Sequence, residues 1–334
     1  MERYEGEKYY TTIDNVHSTI EKYGIAIIPN LLTKIETTEM IDGMWNYLET
    51  VTKNFNIPID RKNQATWGQL EGLFPMYHMQ IQRWKIGHAQ FIWNLRQHPK
   101  VLEVFSKIWN TSPEDLLVSF DGASIHMPPE VTGKGWEQGR PKLHCDQRFS
   151  NNTFECIQSW VTAYDVNPGD ATIAFYEGSH KLHKEFAEQY KHSDSKEDWY
   201  ALDSNDKDKK SSKENDFFIK HCGNYKSIKC PAGSMVLWDS RLIHSGQRAL
   251  KKRSTANIRL VAFLCYMKRS GITNANLMKK KKAFNEMRMT SHWPCKVKLF
   301  AVKPYIRGDK VLEDIADIDP PILNSIGKRL AGFD

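Results

Sequence analysis

No apolar run in this 334-residue chain approaches the roughly 20 residues that a membrane-spanning helix requires; the stretch 260–266 is among the longest. The amino terminus, Met1-Glu2-Arg3-Tyr4-Glu5-Gly6-Glu7-Lys8, is charged and has no apolar segment of the secretory type. The expected compartment is therefore intracellular, cytoplasmic or nuclear. None of the six cysteines (145, 156, 222, 230, 265 and 295) forms a Cys-x-x-Cys pair, which argues against a disulfide framework and for a reduced protein with buried thiols. Zinc held by Cys222 and Cys230 is the minor alternative. A net charge of +7 is mild for this length, and much of it lies in 251–253 and 279–282. Such runs usually form solvated faces, and no zinc finger, RNP motif or aromatic-interleaved basic strip accompanies them. Nucleic-acid binding is not expected. Internal repeats are also lacking.

What is present is ordinary globular material, 40% hydrophobic and 26% charged, with 11% aromatic residues to fill a core. The first part, about 10–110, reads helical. Ile13, Val16 and Ile20 recur at helical spacing before Gly24, and 25–28 is a short buried strand. Thr33 and Glu36 form a capping box for a helix with an apolar face of Ile41, Met44, Trp45, Leu48 and Val51. Pro99 opens a later helix.

At about residue 115 the texture changes. Strand-like stretches follow at 157–166, 172–176, 235–238, 242–244 and 258–267, rich in β-branched and aromatic residues and separated by Pro and Gly turns. Successive strands without intervening helices predict a sandwich or barrel, mainly β with packed helices. The segment 191–216 is dominated by Lys, Asp, Ser, Glu and Asn, with Trp199, Tyr200 and Leu202 as its apolar anchors. It reads as a mobile surface insertion. The expectation is one domain: a helical part, a β-core over about 115–268 and an extension over about 269–334.

Iron(II) in oxygenases is commonly held by two imidazoles and one carboxylate on one face, leaving the opposite face open. A strand with period two turns His144 and Asp146 to one side and Cys145 to the other. Two rivals exist. His192-Ser193-Asp194 lies in the polar insertion, where little would hold two ligands to the tolerance a metal needs. His183-Lys184-Glu185 lies in a helical stretch, where positions i and i+2 diverge by about 200°.

A third ligand must come from a distant strand. The turn Pro231-Ala232-Gly233-Ser234 and the apolar strand after it lead to Leu242-Ile243-His244-Ser245-Gly246, which places His244 at the end of a hydrophobic run. Fifteen residues on, Arg259 interrupts an apolar strand. A buried arginine is costly unless paired, and its planar fork suits a dicarboxylate bidentately. The competing readings are a strand-edge arginine reaching solvent, or Arg253 as the anchor instead.

The order His-x-Asp, turn–strand–His-Ser-Gly, then an arginine-bearing strand resembles the phytanoyl-CoA dioxygenase-like family of Fe(II)/2-oxoglutarate oxygenases. The stretch from Glu21-Lys22-Tyr23-Gly24 through Pro29, the strand bearing Trp160, and Glu177-Gly178-Ser179-His180 are similar to further marks of that family. The resemblance implies a double-stranded β-helix, also called a jelly roll or cupin-like core. It implies iron ligation by His144, Asp146 and His244, and pairing of Arg259 with the far carboxylate of 2-oxoglutarate. Trp160 and Met127 stand where the family lines the co-substrate pocket. The implied reaction uses O2, releases succinate and CO2, and hydroxylates an unactivated C–H of a small molecule or side chain.

Two departures stand out. Glu177 replaces a proline, and an asparagine usual after the distal histidine is not at its customary spacing. Asp146 is the carboxylate that the halogenase variant lacks, so halogenation is not expected. Two other readings remain open: a catalytically inactive jelly-roll binding protein, and a cupin-like zinc isomerase or hydrolase. The loops 133–140 and 191–216 are the expected determinants of substrate choice.

Overall fold

The computed structural model describes residues 3–74, 79–139, 141–202, 213–302 and 314–334. Its strands are β1 (Tyr4–Glu5), β2 (Ile25–Ile28), β3 (Leu116–Val118), β4 (Ala123–His126), β5 (His144–Cys145), β6 (Ile157–Thr162), β7 (Thr172–Phe175), β8 (Tyr200–Ala201), β9 (Lys226–Ile228), β10 (Met235–Asp239), β11 (His244–Gln247) and β12 (Arg259–Lys268). They form two sheets. One runs β2-β10-β6-β12-β3, with β4 also on β12; the other runs β1-β9-β7-β11-β5-β8. All ladders are antiparallel except β1 on β9.

Alternation along the strands of the first sheet divides the core in two. Ala26, Ile28, Val161, Leu237, Leu260, Ala262 and Leu264 pack outward under the helices. Ile25, Ile27, Trp160, Val236, Trp238 and Val261 turn inward to meet Ile173 and Phe175 of the second sheet. A one-residue slip in any of these strands would exchange the two sets, so burial on both faces fixes the register.

The helical cover is specified locally. The helix Val16–Tyr23 stops at Gly24, whose φ of 81° lies in the left-handed region. A side chain there would meet Leu242 and His180 within 2.6 Å. Thr33 and Glu36 close the capping box on the helix Lys34–Val51, an arrangement that contributes about 1 kcal/mol. That helix buries Met40, Met44, Trp45, Leu48 and Val51, each side chain stabilising by about 1.5–3 kcal/mol on full burial. Pro99 occupies the first turn of the helix Pro99–Trp109.

Several expectations need adjustment. The run expected as a strand over 242–244 begins its pairing only at His244 and continues to Gln247. The strands β1, β8 and β9 are too short to carry a period-two signal. The described part of the polar insertion is anchored, with β8 adding to the edge at β5. Residues 203–212 and Arg140, the end of the 133–140 loop, lie outside the described residues. The basic run at 279–282 is not a uniform solvated face. Lys280 is buried, donates to the Val118 carbonyl and lies 4.3 Å from the centre of the Phe120 ring. All six cysteines are free. Cys222 packs beside one hydrophobic cluster and Cys230 belongs to another. Among the described residues no helix is long and apolar enough to cross a membrane.

Candidate metal centre

β5 and β11 are neighbours, and their register sets His144 directly opposite His244. Opposed residues of an antiparallel pair project to the same face, so both imidazoles turn inward, with ring centres 4.5 Å apart. Cys145 points the other way, into the cluster around Phe149 and Tyr176. Asp146 follows β5 and returns to the inner face. Its Oδ2 lies 3.3 Å from Nε2 of His244 and 3.8 Å from Nε2 of His144. The three donor atoms all fall within 4.8 Å of one another, the one such grouping of His, Cys, Asp and Glu among the described residues. His192 instead meets Glu214 and Tyr200, and His183 meets Asn152 and Phe149. Neither rival pair belongs to such a grouping among the described residues.

Surrounding groups fix the tautomer and charge of these side chains. Nδ1 of His144 bonds the Lys142 carbonyl at 3.0 Å, and Nδ1 of His244 bonds the Leu242 carbonyl at 2.9 Å. A carbonyl accepts only from N–H, so both rings carry their proton on Nδ1 and offer a lone pair at Nε2. Burial is the main reason that His144 is driven down to about 4, only partly offset by Asp146, which leaves a neutral imidazole. Burial opposes ionisation of Asp146, yet the surrounding imidazoles, once they protonate in acid, hold its carboxyl well below the usual carboxylate range. Gln158 donates from Nε2 to Oδ2 of Asp146 at 2.8 Å.

His244, the distal candidate, is positioned by the Gly178 turn. Gly178 has φ 77°, and the Ser179 hydroxyl after it accepts from the Ile243 amide at 2.9 Å, one residue before His244. Glu177, in the place of the proline, accepts from Lys8 Nζ and from the Tyr9 hydroxyl. The substitution ties the turn to the amino-terminal segment.

Arg259 faces the same interior from β12. It is 7% exposed, and burial lowers it to about 10. Its partners are neutral: Nε donates to Ser124 Oγ at 3.0 Å and Nη1 to the Ala171 carbonyl at 2.8 Å. The guanidinium lies 5.5 Å from the centre of the Trp160 ring. Among the described residues no carboxylate pairs with it. Arg253 is the opposite case, ion-paired to both Glu130 and Asp170 at 2.7 and 2.8 Å. A cleft partly open to solvent is walled by Arg259, Met127, His126, Trp67, Phe74 and Arg253 among others. The three metal-ligand candidates do not line it. Trp160 is buried with its Nε1 unpartnered.

Residues 20–254 match the phytanoyl-CoA dioxygenase (PhyH) family over more than half of the chain. The chain belongs to the phytanoyl-CoA dioxygenase family. It is 27% identical over 282 residues to the Ava biosynthesis cluster protein O of Aspergillus versicolor, covering 81% of this chain and 83% of that protein. In fold it is similar to a putative oxidoreductase from Salmonella typhimurium LT2, at TM-score 0.55 and 15% identity, over 96% of this chain and 82% of that one. It is also similar to the GlcNAc Inducible Gene 2 protein of Candida albicans, at TM-score 0.53 and 12% identity, over 96% and 76%.

Sequence reasoning in this family member passed over Gln158, Ser124, Trp238 and His292. Gln158 had a signal, because it shares the inner face of β6 with Trp160. Trp238, whose ring centre is 5.4 Å from that of His244, lies on the inward face of β10. Ser124 and His292 lie in other parts of the chain and reach the site only through tertiary packing.

Proposed function

We propose that this chain is an Fe(II)- and 2-oxoglutarate-dependent oxygenase in which His144, Asp146 and His244 hold the metal and Arg259 anchors the co-substrate. The observation that carries the reading is the pairing of the His-Asp-His cluster with a buried arginine that has only neutral partners. An uncompensated buried guanidinium is unfavourable, so a permanent structural role would call for a carboxylate partner, such as those Arg253 has. A dianion arriving from solution supplies one. Spacing supports the same assignment. Gln158 touches Asp146, and Trp160, two residues along the same face of β6, lies beneath Arg259. Two residues of strand span about 7 Å, a length suited to a five-carbon dicarboxylate.

The donor set fits a facial two-histidine, one-carboxylate site, which leaves coordination positions open for exogenous ligands. When bound, iron with 2-oxoglutarate supplies O2-dependent oxidative decarboxylation to succinate and CO2, coupled to oxidation of a C–H bond, with hydroxylation as the outcome we favour. The chain contributes the rest. The Lys142 and Leu242 carbonyls hold the imidazoles in one tautomer, Gln158 orients the carboxylate, and Arg259 fixes the far end of the co-substrate. Ser124 and the Ala171 carbonyl hold Arg259 in turn. Trp160 and Trp238 keep the interior dry, which strengthens each of these polar contacts. Met127 lines the cleft on the side of Arg259.

The test is anaerobic loading with iron(II) and 2-oxoglutarate, then admission of O2 with detection of succinate. The reading predicts slow succinate release even without a second substrate, and its loss in Asp146→Ala but not in Asp194→Ala. A fully iron-loaded protein that releases none would contradict it. A zinc isomerase or hydrolase has no use for Arg259, and Arg259→Gln would leave such an activity intact.

A further inference from the structure

The rim of the metal centre contains a large side chain that neither the fold nor the metal requires. Trp199 is 57% exposed, yet its ring centre is 5.8 Å from that of His144. Single exposed aromatics are common and by themselves mean nothing. This one is fixed in place. β8 begins at the next residue, and its Ala201 is directly opposite His144 in the ladder. Asp198, the residue before, is held by Lys298 at 2.9 Å, with Arg148 and Lys296 within 3.7 Å. Lys296 also reaches Glu155 and stacks 4.1 Å from the centre of the Trp293 ring. The polar insertion and the carboxy-terminal extension are thus joined at the edge of the centre.

We propose that Trp199 forms the substrate-facing rim of the centre and selects a planar unsaturated ring. An indole face held beside a metal ligand offers stacking to a flat π-system, which a puckered saturated ring of equal size cannot match. The inference rests on the assignment of the metal centre and names the substrate class for it.

Ligand-observed NMR on the zinc-loaded protein with 2-oxoglutarate tests it, using 2-naphthol and its saturated counterpart decahydro-2-naphthol as probes. Wild type is expected to bind 2-naphthol about tenfold more tightly than the saturated alcohol. Trp199→Ala erases that preference, and Trp199→Phe retains most of it. Because Trp199 is exposed, melting temperature and zinc uptake stay unchanged in Trp199→Ala. Equal binding of the two probes, no detectable 2-naphthol binding, or an unaltered preference in Trp199→Ala overturns the proposal. Zinc and 2-oxoglutarate affinities, measured by calorimetry on the same samples, separate the causes. If those persist while the ring preference is absent, only this inference falls; if they are absent too, the metal-centre assignment falls with it.

Discussion

Gln158 donates to Oδ2 of Asp146 over 2.8 Å, and through that bond the central strand β6 orients the carboxylate of the candidate centre. The other amide atom, Oε1, has no partner. The side chain therefore makes one buried hydrogen bond, and that bond goes to a metal-ligand candidate.

Removing it should weaken metal binding much more than it weakens the fold. Partners of this kind typically contribute 10–100-fold in metal affinity. Gln158→Leu is isosteric enough to keep the inner face packed. We expect its affinity for iron(II) or zinc to fall by about tenfold or more, with a small change in melting temperature. Calorimetric titration checks this, and unchanged affinity would exclude an orienting role for Gln158.

Arg259 and Arg253 should separate cleanly. Arg259→Gln removes the guanidinium that has only neutral partners, so 2-oxoglutarate affinity should fall by about a hundredfold or more, the effect of losing a charge-assisted bidentate pair. Arg253→Gln breaks the pairs with Glu130 and Asp170 and leaves the buried Asp170 without a cation, held only by the Asn167 amide and Asn257. It should destabilise the fold by about 3 kcal/mol while sparing 2-oxoglutarate affinity. Calorimetry with a paired thermal melt distinguishes them. The reverse pattern would move the anchor to Arg253.

Much of this contrast was legible in the sequence, and the part that was not has a physical reason. His144 and Asp146 were readable because a strand's period of two is local, and His244 because an apolar run led into it. Arg259 stood out as a charge in an apolar strand. Nothing in the sequence ranked it above Arg253 on electrostatic grounds. That ranking needs Glu130 and Asp170, residues 123 and 83 positions away from Arg253, to be brought to its side. The anchorage of the polar insertion at Asp198 was illegible for a similar reason. It comes from Lys296 and Lys298 in the extension, about a hundred residues on, which the insertion's own composition does not reveal. Gly24, Thr33 and Pro99 were the easiest positions to assign, since caps depend on a few consecutive residues.

Two buried histidines outside the centre set an acid limit on the fold. Burial depresses His88 to about 3 and His183 to about 4. In the unfolded chain histidine titrates near about 6.5. Between those limits the unfolded state takes up protons that the folded state does not, so stability falls as pH falls. Glu36, held at about 2 by its bonds to His98 and Thr33, acts in the same direction as pH drops below the unfolded glutamate value. The melting temperature should therefore decrease steadily from about pH 6.5 towards pH 4. His183→Phe should flatten the slope. A melting temperature that is constant over that range would show that these imidazoles charge freely in the native state.

The most direct test is a crystal structure with a divalent metal and 2-oxoglutarate bound. The account predicts the metal on Nε2 of His144, Nε2 of His244 and a carboxylate oxygen of Asp146, with ligand distances of about 2.0–2.2 Å. It also predicts the far carboxylate of 2-oxoglutarate on the guanidinium of Arg259. Metal bound elsewhere, or 2-oxoglutarate seated on Arg253 with Arg259 left unpaired, would contradict it.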